Sequence, residues 1–263
     1  MSVFELTVLG ARGSIPVGRA DCSLFGGDTS CYMIRAGEET IFLDAGTGLV
    51  HAPAEYPCPP SILLSHLHLD HVMGLGMFPG LTRAGTETRV YIAGAAEKSE
   101  QALLNTLWAP PFWPVRLSAC PGILRVHTLS RKTVLGEVTV ETAAGSHPGE
   151  AALIRLTCRG RRIVYATDFE GTRRAADRLA AFAEGADLLM FDGQYTKTEL
   201  ARRVGFGHST PEIGRRILTR CGGKSLLLIH HDPHRSDAEL LAMEQELGDS
   251  RARFAREGEV ISL

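Results

Sequence analysis

From Ser61 to His71 the chain reads SILLSHLHLDH. The first four residues form an apolar run of strand character, and the six residues His66–His71 then carry three histidines and an aspartate. In an extended segment successive side chains alternate, so His66 and His68 point the same way. Asp70 and His71 fall where the chain turns toward VMGLGM. Four ligand-type side chains at the exit of a buried strand are too dense for an apolar core, because each would carry its own desolvation penalty. A metal ion removes that penalty. The competing reading, buried polar groups that merely hydrogen-bond one another, requires a separate partner for every ring. The fold must therefore bring further donors to this point.

Three such donors stand at other predicted strand exits. His147 follows EVTVET in AGSHP, Asp168 ends RRIVYATD and His230 ends KSLLLIH. Sites in α/β proteins form at the carboxyl ends of strands, and these positions fit that rule. Neutral imidazoles with carboxylates favour Zn²⁺, although Mn²⁺ and Fe²⁺ use similar donors.

Short runs rich in β-branched and apolar residues predict strands at 4–9, 31–35, 40–43, 61–64, 89–93, 137–142, 151–158, 161–166, 187–191, 224–229 and 259–262. Apolar residues at 3–4 spacing predict helices at about 94–107, 172–184, 210–221 and 236–248. Thr210-Pro211-Glu212 reads as an N-cap with proline at the first helical position, and Ser236 with Glu239 as a capping box. In each half a run of strands precedes helices. That order suits two packed sheets with helices outside better than a doubly wound parallel sheet. With no repeat or linker, residues 1–263 read as one domain.

Composition narrows the partners. Lys and Arg number 28 against 30 Asp and Glu, a net charge of −2. Such a chain has no global field to gather nucleic acid or anionic membrane. No apolar run approaches the roughly 18 residues needed to cross a bilayer. MSVFELTVLGARGS reads as a strand without a basic leader region, so neither signal peptide nor anchor is expected. Cys22, Cys31, Cys58, Cys120, Cys158 and Cys221 include no C-x-x-C pair, which points to free thiols and a reducing cytoplasm.

The H-x-H-x-D-H segment, with Phe42-Leu43-Asp44-Ala45-Gly46, His147, Asp168 and Leu228-Ile229-His230, resembles the metallo-β-lactamase superfamily over nearly the whole chain. The resemblance implies an α/β fold, a four-layer αββα sandwich with two metals at one edge. It implies that His66, His68 and His147 bind the first, that Asp70, His71 and His230 bind the second, and that Asp168 bridges both. Asp44 is then a carboxylate behind a ligand histidine, fixing its orientation, or simply an Asx-turn before Gly46.

A closer resemblance is to the phosphodiesterase branch, ribonuclease Z and the cyclic-phosphate phosphodiesterases. It rests on Gly10-Ala11-Arg12-Gly13-Ser14-Ile15-Pro16, on Gly26-Gly27-Asp28-Thr29-Ser30-Cys31, on Phe191-Asp192-Gly193-Gln194-Tyr195 and on Gly207-His208-Ser209-Thr210. It implies a metal-bridging hydroxide that attacks a small, cyclic phosphodiester. His208 is the expected proton donor, Asp192 orients it, and Asp70 belongs to the catalytic group as well as to the metal set. Asp28 departs from the family's GGNTSC pattern, which has Asn there; the loop reads equally well as a glycine turn. In ribonuclease Z a basic arm that grips tRNA lies between the positions matching His147 and Asp168. Here that interval is 21 residues and two predicted strands fill it, so a large nucleic acid is not the expected substrate.

Other residues are read more plainly. Arg12 could reach a phosphate, but a lone loop arginine usually faces solvent. His231 could line the pocket or replace His230 as ligand in a shifted register, and His234 stands close by. His51 and His127 read as surface or core histidines. Trp108 and Trp113, in LWAPPFWP, read as packing or oligomer contact more than as a stacking lid. Two alternatives remain at this level: a metallo-hydrolase of another ester, thioester or lactam, and a non-catalytic metal-dependent binding module.

Overall fold

The computed structural model describes residues 4–93 and 100–263. Among these, the strands are β1 (Phe4–Gly10), β2 (Cys31–Ala36), β3 (Glu39–Leu43), β4 (Ser61–Leu64), β5 (Glu87–Ala93), β6 (Ile123–Leu129), β7 (Lys132–Leu135), β8 (Val138–Ala144), β9 (Ala152–Cys158), β10 (Arg161–Ala166), β11 (Leu188–Asp192), β12 (Ser225–Ile229), β13 (Ala252–Phe254) and β14 (Val260–Ser262). The helices are α1 (Leu69–Val72), α2 (Pro79–Thr82), α3 (Glu100–Leu107), α4 (Arg173–Phe182), α5 (Lys197–Arg202), α6 (Pro211–Arg220) and α7 (Asp237–Leu247).

The strands form two sheets, ordered β14-β1-β2-β3-β4-β5-β6 and β13-β12-β11-β10-β9-β8-β7. Each is antiparallel over its first-formed strands and parallel beyond, from β3 to β6 and from β10 to β13. Antiparallel neighbours need only a tight turn. Between β9 and β10 that turn is Arg159-Gly160, both at positive φ, 50° and 77°, as a two-residue hairpin of matching twist requires. Parallel neighbours need a crossover, and α4, α5 with α6, and α7 supply those of the second sheet.

Alternation along each strand builds three apolar layers. Ile163 and Tyr165 of β10 enter the core between the sheets with Leu6, Ile34, Ile41 and Leu63. Val164 and Ala166 face the other way, against Leu179 of α4 and Ile217 of α6. On the first sheet Phe42, Ile62 and Val90 pack outward on Val72, Phe78 and Leu104. This is the expected four-layer αββα sandwich. Strands buried on both faces read as unbroken apolar runs, which is why SILL and LLMFD are so legible. Ile163 is fully buried. Ile163→Ala is expected to cost about 2–5 kcal/mol in chemical denaturation, the usual range for emptying such a site.

The sequence reading overlooked β6, β7 and β13. β6 (ILRVHTL) lies at a sheet edge, where its inward residues Leu124 and Val126 are only half-buried and Arg125, His127 and Thr128 break the apolar run, and β13 has three residues. The predicted helix at 94–107 is seen as α3 from Glu100; residues 94–99 lie outside the described residues. The six cysteines are free thiols. Among the described residues no helix is long and apolar enough to cross a membrane.

Candidate metal centre

The parallel strands all end at one edge of the sandwich, and the charged residues stand just beyond them. Asp44 follows β3, His66 follows β4, His147 follows β8, Asp168 follows β10 and His230 follows β12. Asp44, Asp168 and His230 have positive φ, 58°, 46° and 59°. Non-glycine residues rarely hold that conformation, and it turns each side chain out of the strand direction at a functional edge.

Two groups result. In the first, one ligand-type atom from each of His66, His68, His147 and Asp168 lies within 4.8 Å of the others. His68 Nδ1 is 3.2 Å from His147 Nε2, and Asp168 Oδ2 is 3.7 Å from His66 Nε2 and 3.6 Å from His147 Nε2. In the second, His71 Nε2 is 3.2 Å from Asp70 Oδ2 and 3.1 Å from Asp168 Oδ1. His230 Nε2 is 3.1 Å from Asp70 Oδ2 and 3.2 Å from Asp168 Oδ1. The two oxygens of Asp168 thus face different groups. All seven predicted residues are brought together.

The imidazoles are tied back on their far side. His71 Nδ1–H donates to Asp44 Oδ2 at 2.7 Å, His147 Nδ1–H to the Gly207 carbonyl at 3.0 Å and His230 Nδ1–H to Gln194 Oε1 at 3.2 Å. His66 Nδ1 lies 3.0 Å from Ser65 Oγ, which itself donates to Asp44 Oδ2 at 2.8 Å. These partners hold Nδ1 outward, so Nε2 is the nitrogen aimed inward. The buried Nε2 of His66 has no hydrogen-bond partner, its nearest carboxylate oxygen lying 3.7 Å away, while His71 Nε2 faces two carboxylate oxygens at 3.1–3.2 Å. A divalent cation fits that arrangement; a self-satisfied polar core does not.

Charge agrees with geometry. Burial disfavours a charged His71, but Asp168, Asp70 and Asp44 outweigh it and hold its pKa well above the usual value. Burial likewise opposes His230, yet Asp168, Asp70 and Asp192 push it up to about 9. Burial and then His71 drive His66 well below it. Burial also opposes ionisation of Asp168, but His230, His71 and His66 keep it ionised far below the carboxylate range. The cluster is a dense set of mutually compensating charges, the environment in which pKa values depart most from ordinary.

Asp44 is the hub behind both groups. Its carboxylate is fully buried and also accepts the Ser65 N–H at 2.7 Å and the Tyr165 O–H at 2.6 Å. Asp192 has the same design. It accepts the N–H groups of Gln194 and Ser209 at 3.0 and 3.3 Å, that of Phe169 at 3.3 Å, and His208 Nδ1–H at 2.8 Å. The His208 ring stacks on His230 with centroids 4.8 Å apart. A ring nitrogen of His208 lies within 4.8 Å of ligand-type atoms of Asp168 and His230.

Arg12 and His231 depart from their expected settings, whereas His51, His127, Trp108 and Trp113 keep theirs. Arg12 is fully buried and neither faces solvent nor reaches into the site. Its Nε donates to the Gly26 carbonyl at 2.8 Å, and its Nη1 to those of Asp232 and Arg235 at 3.1 and 2.8 Å. Beside it, Gly13 N–H donates to His231 O and His231 N–H to Ala11 O, both at 2.9 Å. His231 turns away from the cluster. Its Nε2–H donates to Ala255 O at 2.8 Å, and burial lowers its pKa to about 3. His234 is exposed, and exposed His127 stacks on Tyr91. Asp28 accepts from Thr47 Oγ at 2.6 Å and pairs with exposed His51 at 2.8 Å, so its loop is more than a glycine turn. Trp108 and Trp113 meet edge to face at 4.6 Å, with Trp108 in the outer core of the first sheet. Gln194, Ser65 and Tyr165 were not foreseen. Gln194 sits inside the quoted FDGQY motif, and a tyrosine in a buried strand needs a partner for its hydroxyl; those were the available signals.

An αββα sandwich with five histidines and two aspartates gathered at its carboxyl edge is the scaffold of a class made up mostly of metal-dependent hydrolases. The chain belongs to the metallo-β-lactamase superfamily: the family model described as "Beta-lactamase superfamily domain" matches residues 39–231. Ribonuclease Z of Natronomonas pharaonis is 23% identical, the match covering 86% of this chain and 86% of that protein. Among solved structures, the metallo-beta-lactamase fold protein YhfI from Bacillus subtilis aligns with a TM-score of 0.77 at 20% identity, covering 99% of this chain and 100% of that one. A diphosphatase of the PhnP family aligns at 0.72 and 19% identity, covering 99% and 98%.

Proposed function

We propose that this protein is a dinuclear metal-dependent phosphodiesterase acting on a small phosphodiester. His66, His68 and His147 would hold one cation and Asp70, His71 and His230 the other, with one Asp168 oxygen available to each group. Two divalent cations, with Zn²⁺ the best match to this donor set, would supply a water of pKa about 7 and neutralise charge on the phosphoryl oxygens.

The remaining work falls to the chain. Asp192 fixes the Nδ1–H of His208, so Nε2 is the atom free to hold a proton. From there the proton passes to the departing alkoxide. Asp44 keeps the rings of His71 and, through Ser65, His66 in the orientation that presents Nε2. The buried Asp192–His208 pair beside the cluster is the observation that carries this reading, because a module that only bound metal would have no use for a positioned proton donor. A small substrate is favoured because the hairpin of β9 and β10 fills the stretch between His147 and Asp168, and because the net charge is −2.

Metal analysis paired with a panel of bis(p-nitrophenyl) phosphate, cyclic nucleotides, carboxylic esters, thioesters and lactams tests the proposal. Turnover confined to the phosphodiesters is expected; turnover confined to the other substrates overturns it. Asp44→Ala is expected to weaken metal affinity about 10–100-fold, as loss of a carboxylate behind a ligand does. A competition titration against a chromogenic chelator reads that change.

A further inference from the structure

Residues 203–208, RVGFGH, leave two large apolar side chains in water: Val204 is 72% exposed and Phe206 63%. The loop is held firmly. Gly205 and Gly207 donate their N–H groups to the two oxygens of one carboxylate, Glu170, at 2.9 and 3.3 Å. Both glycines have positive φ, 87° and 90°, and Phe206 N–H donates to Arg203 O at 3.2 Å. A Cβ on Gly207 would stand 2.0 Å from His147 Nδ1, so the backbone here touches the metal cluster. Phe206 is one residue from that contact and two from His208. Leu69, between His68 and Asp70, is 53% exposed, as is Ile15, beside the Ser14 N–H that binds Asp70 at 2.7 Å. A charged interior is thus flanked by exposed apolar side chains on three separate stretches of chain.

We propose that Phe206 is a specificity-determining residue, the platform on which a planar ring on one ester arm of the substrate stacks. The substrate class is then a phosphodiester of a ring-bearing alcohol, a nucleoside or an aryl group, and not of a simple sugar. A tethered aromatic with an open face is suited to this because every base presents a π-face. The inference rests on the phosphodiesterase reading for the reaction, but it can be tested by binding alone.

Calorimetric titration of the zinc-loaded protein with thymidine 5′-monophosphate and with ribose 5-phosphate measures the contribution of the ring. The nucleotide is expected to bind about tenfold tighter, within the range of base–aromatic stacking. Phe206→Ala and Phe206→Leu should bring the two Kd values together, while Phe206→Tyr keeps them apart. Zinc content should stay the same in all three variants. With bis(p-nitrophenyl) phosphate, Phe206→Ala should raise KM about tenfold and leave kcat within about twofold. Equal Kd values in the wild-type protein, or a ratio that survives Phe206→Leu, overturn the inference while leaving the phosphodiesterase reading intact. A wild-type protein that binds with the expected ratio but turns over no phosphodiester sinks that reading and keeps the platform. Sedimentation gives one more outcome: if Phe206→Ala dissociates a dimer without changing the ratio, the residue serves contact between copies and the inference fails.

Discussion

His208→Ala is expected to cut turnover of alkyl phosphodiesters by about 10²–10⁴-fold, the usual contribution of a positioned general acid, with zinc content unchanged. His208 is held by Asp192 at 2.8 Å, and that carboxylate is itself fixed by three main-chain N–H donors. The ring therefore has one free nitrogen and one orientation. The loss should concentrate on poor leaving groups. An alkoxide must be protonated as it departs, whereas p-nitrophenolate departs unaided, so bis(p-nitrophenyl) phosphate should suffer far less. Asp192→Asn should reproduce part of the effect by disturbing the tautomer. Equal losses on alkyl and nitrophenyl substrates would mean that His208 acts on some other step. An unchanged alkyl rate would remove it from the mechanism.

Asp168→Ala is expected to abolish activity altogether, a fall on the order of the whole enzymatic acceleration, at least about 10⁶-fold. Its two oxygens lie 3.1–3.7 Å from Nε2 atoms of four different histidines. Among the described residues no other carboxylate pairs directly with imidazoles of both groups; Asp44 reaches His66 only through Ser65. Asp70 approaches only His71 and His230. Without Asp168, imidazoles gathered at short range lose the negative charge that offsets a second cation. Elemental analysis should show metal content falling from two equivalents per chain to one or none. A variant that retained two equivalents and measurable turnover would remove Asp168 from the bridging position.

How much of this could be read from sequence depends on what kind of information each residue carries. His66 and His68 announce themselves by alternation just past the end of a short, largely apolar strand. His147, Asp168 and His230 were legible because each interrupts an apolar run at its carboxyl end, where the sandwich gathers its strand exits. Arg12 was misjudged because sequence gives no hint that a guanidinium can be enclosed by main-chain carbonyls alone. Its acceptors at residues 26, 232 and 235 have no residue-type signature. Ser65, Tyr165 and Gln194 are common polar residues, and only the three-dimensional convergence on Asp44 and His230 distinguishes them. The edge strand β6 escaped because two half-buried residues, Leu124 and Val126, carry its whole alternation, too short a pattern to stand out.

The clamp around Arg12 joins stretches more than 200 positions apart in the chain, residue 12 to residues 232 and 235. While the polypeptide emerges from the ribosome, the histidines near position 66 are made long before the segment that closes over them. On the proposed ligand assignment, a chain that stops before residue 230 has six of the seven ligands and lacks His230, one of the three for the second cation. Capture of the second cation would then wait until the last quarter has docked against the first residues. Loading of the second cation would then report on completion of synthesis.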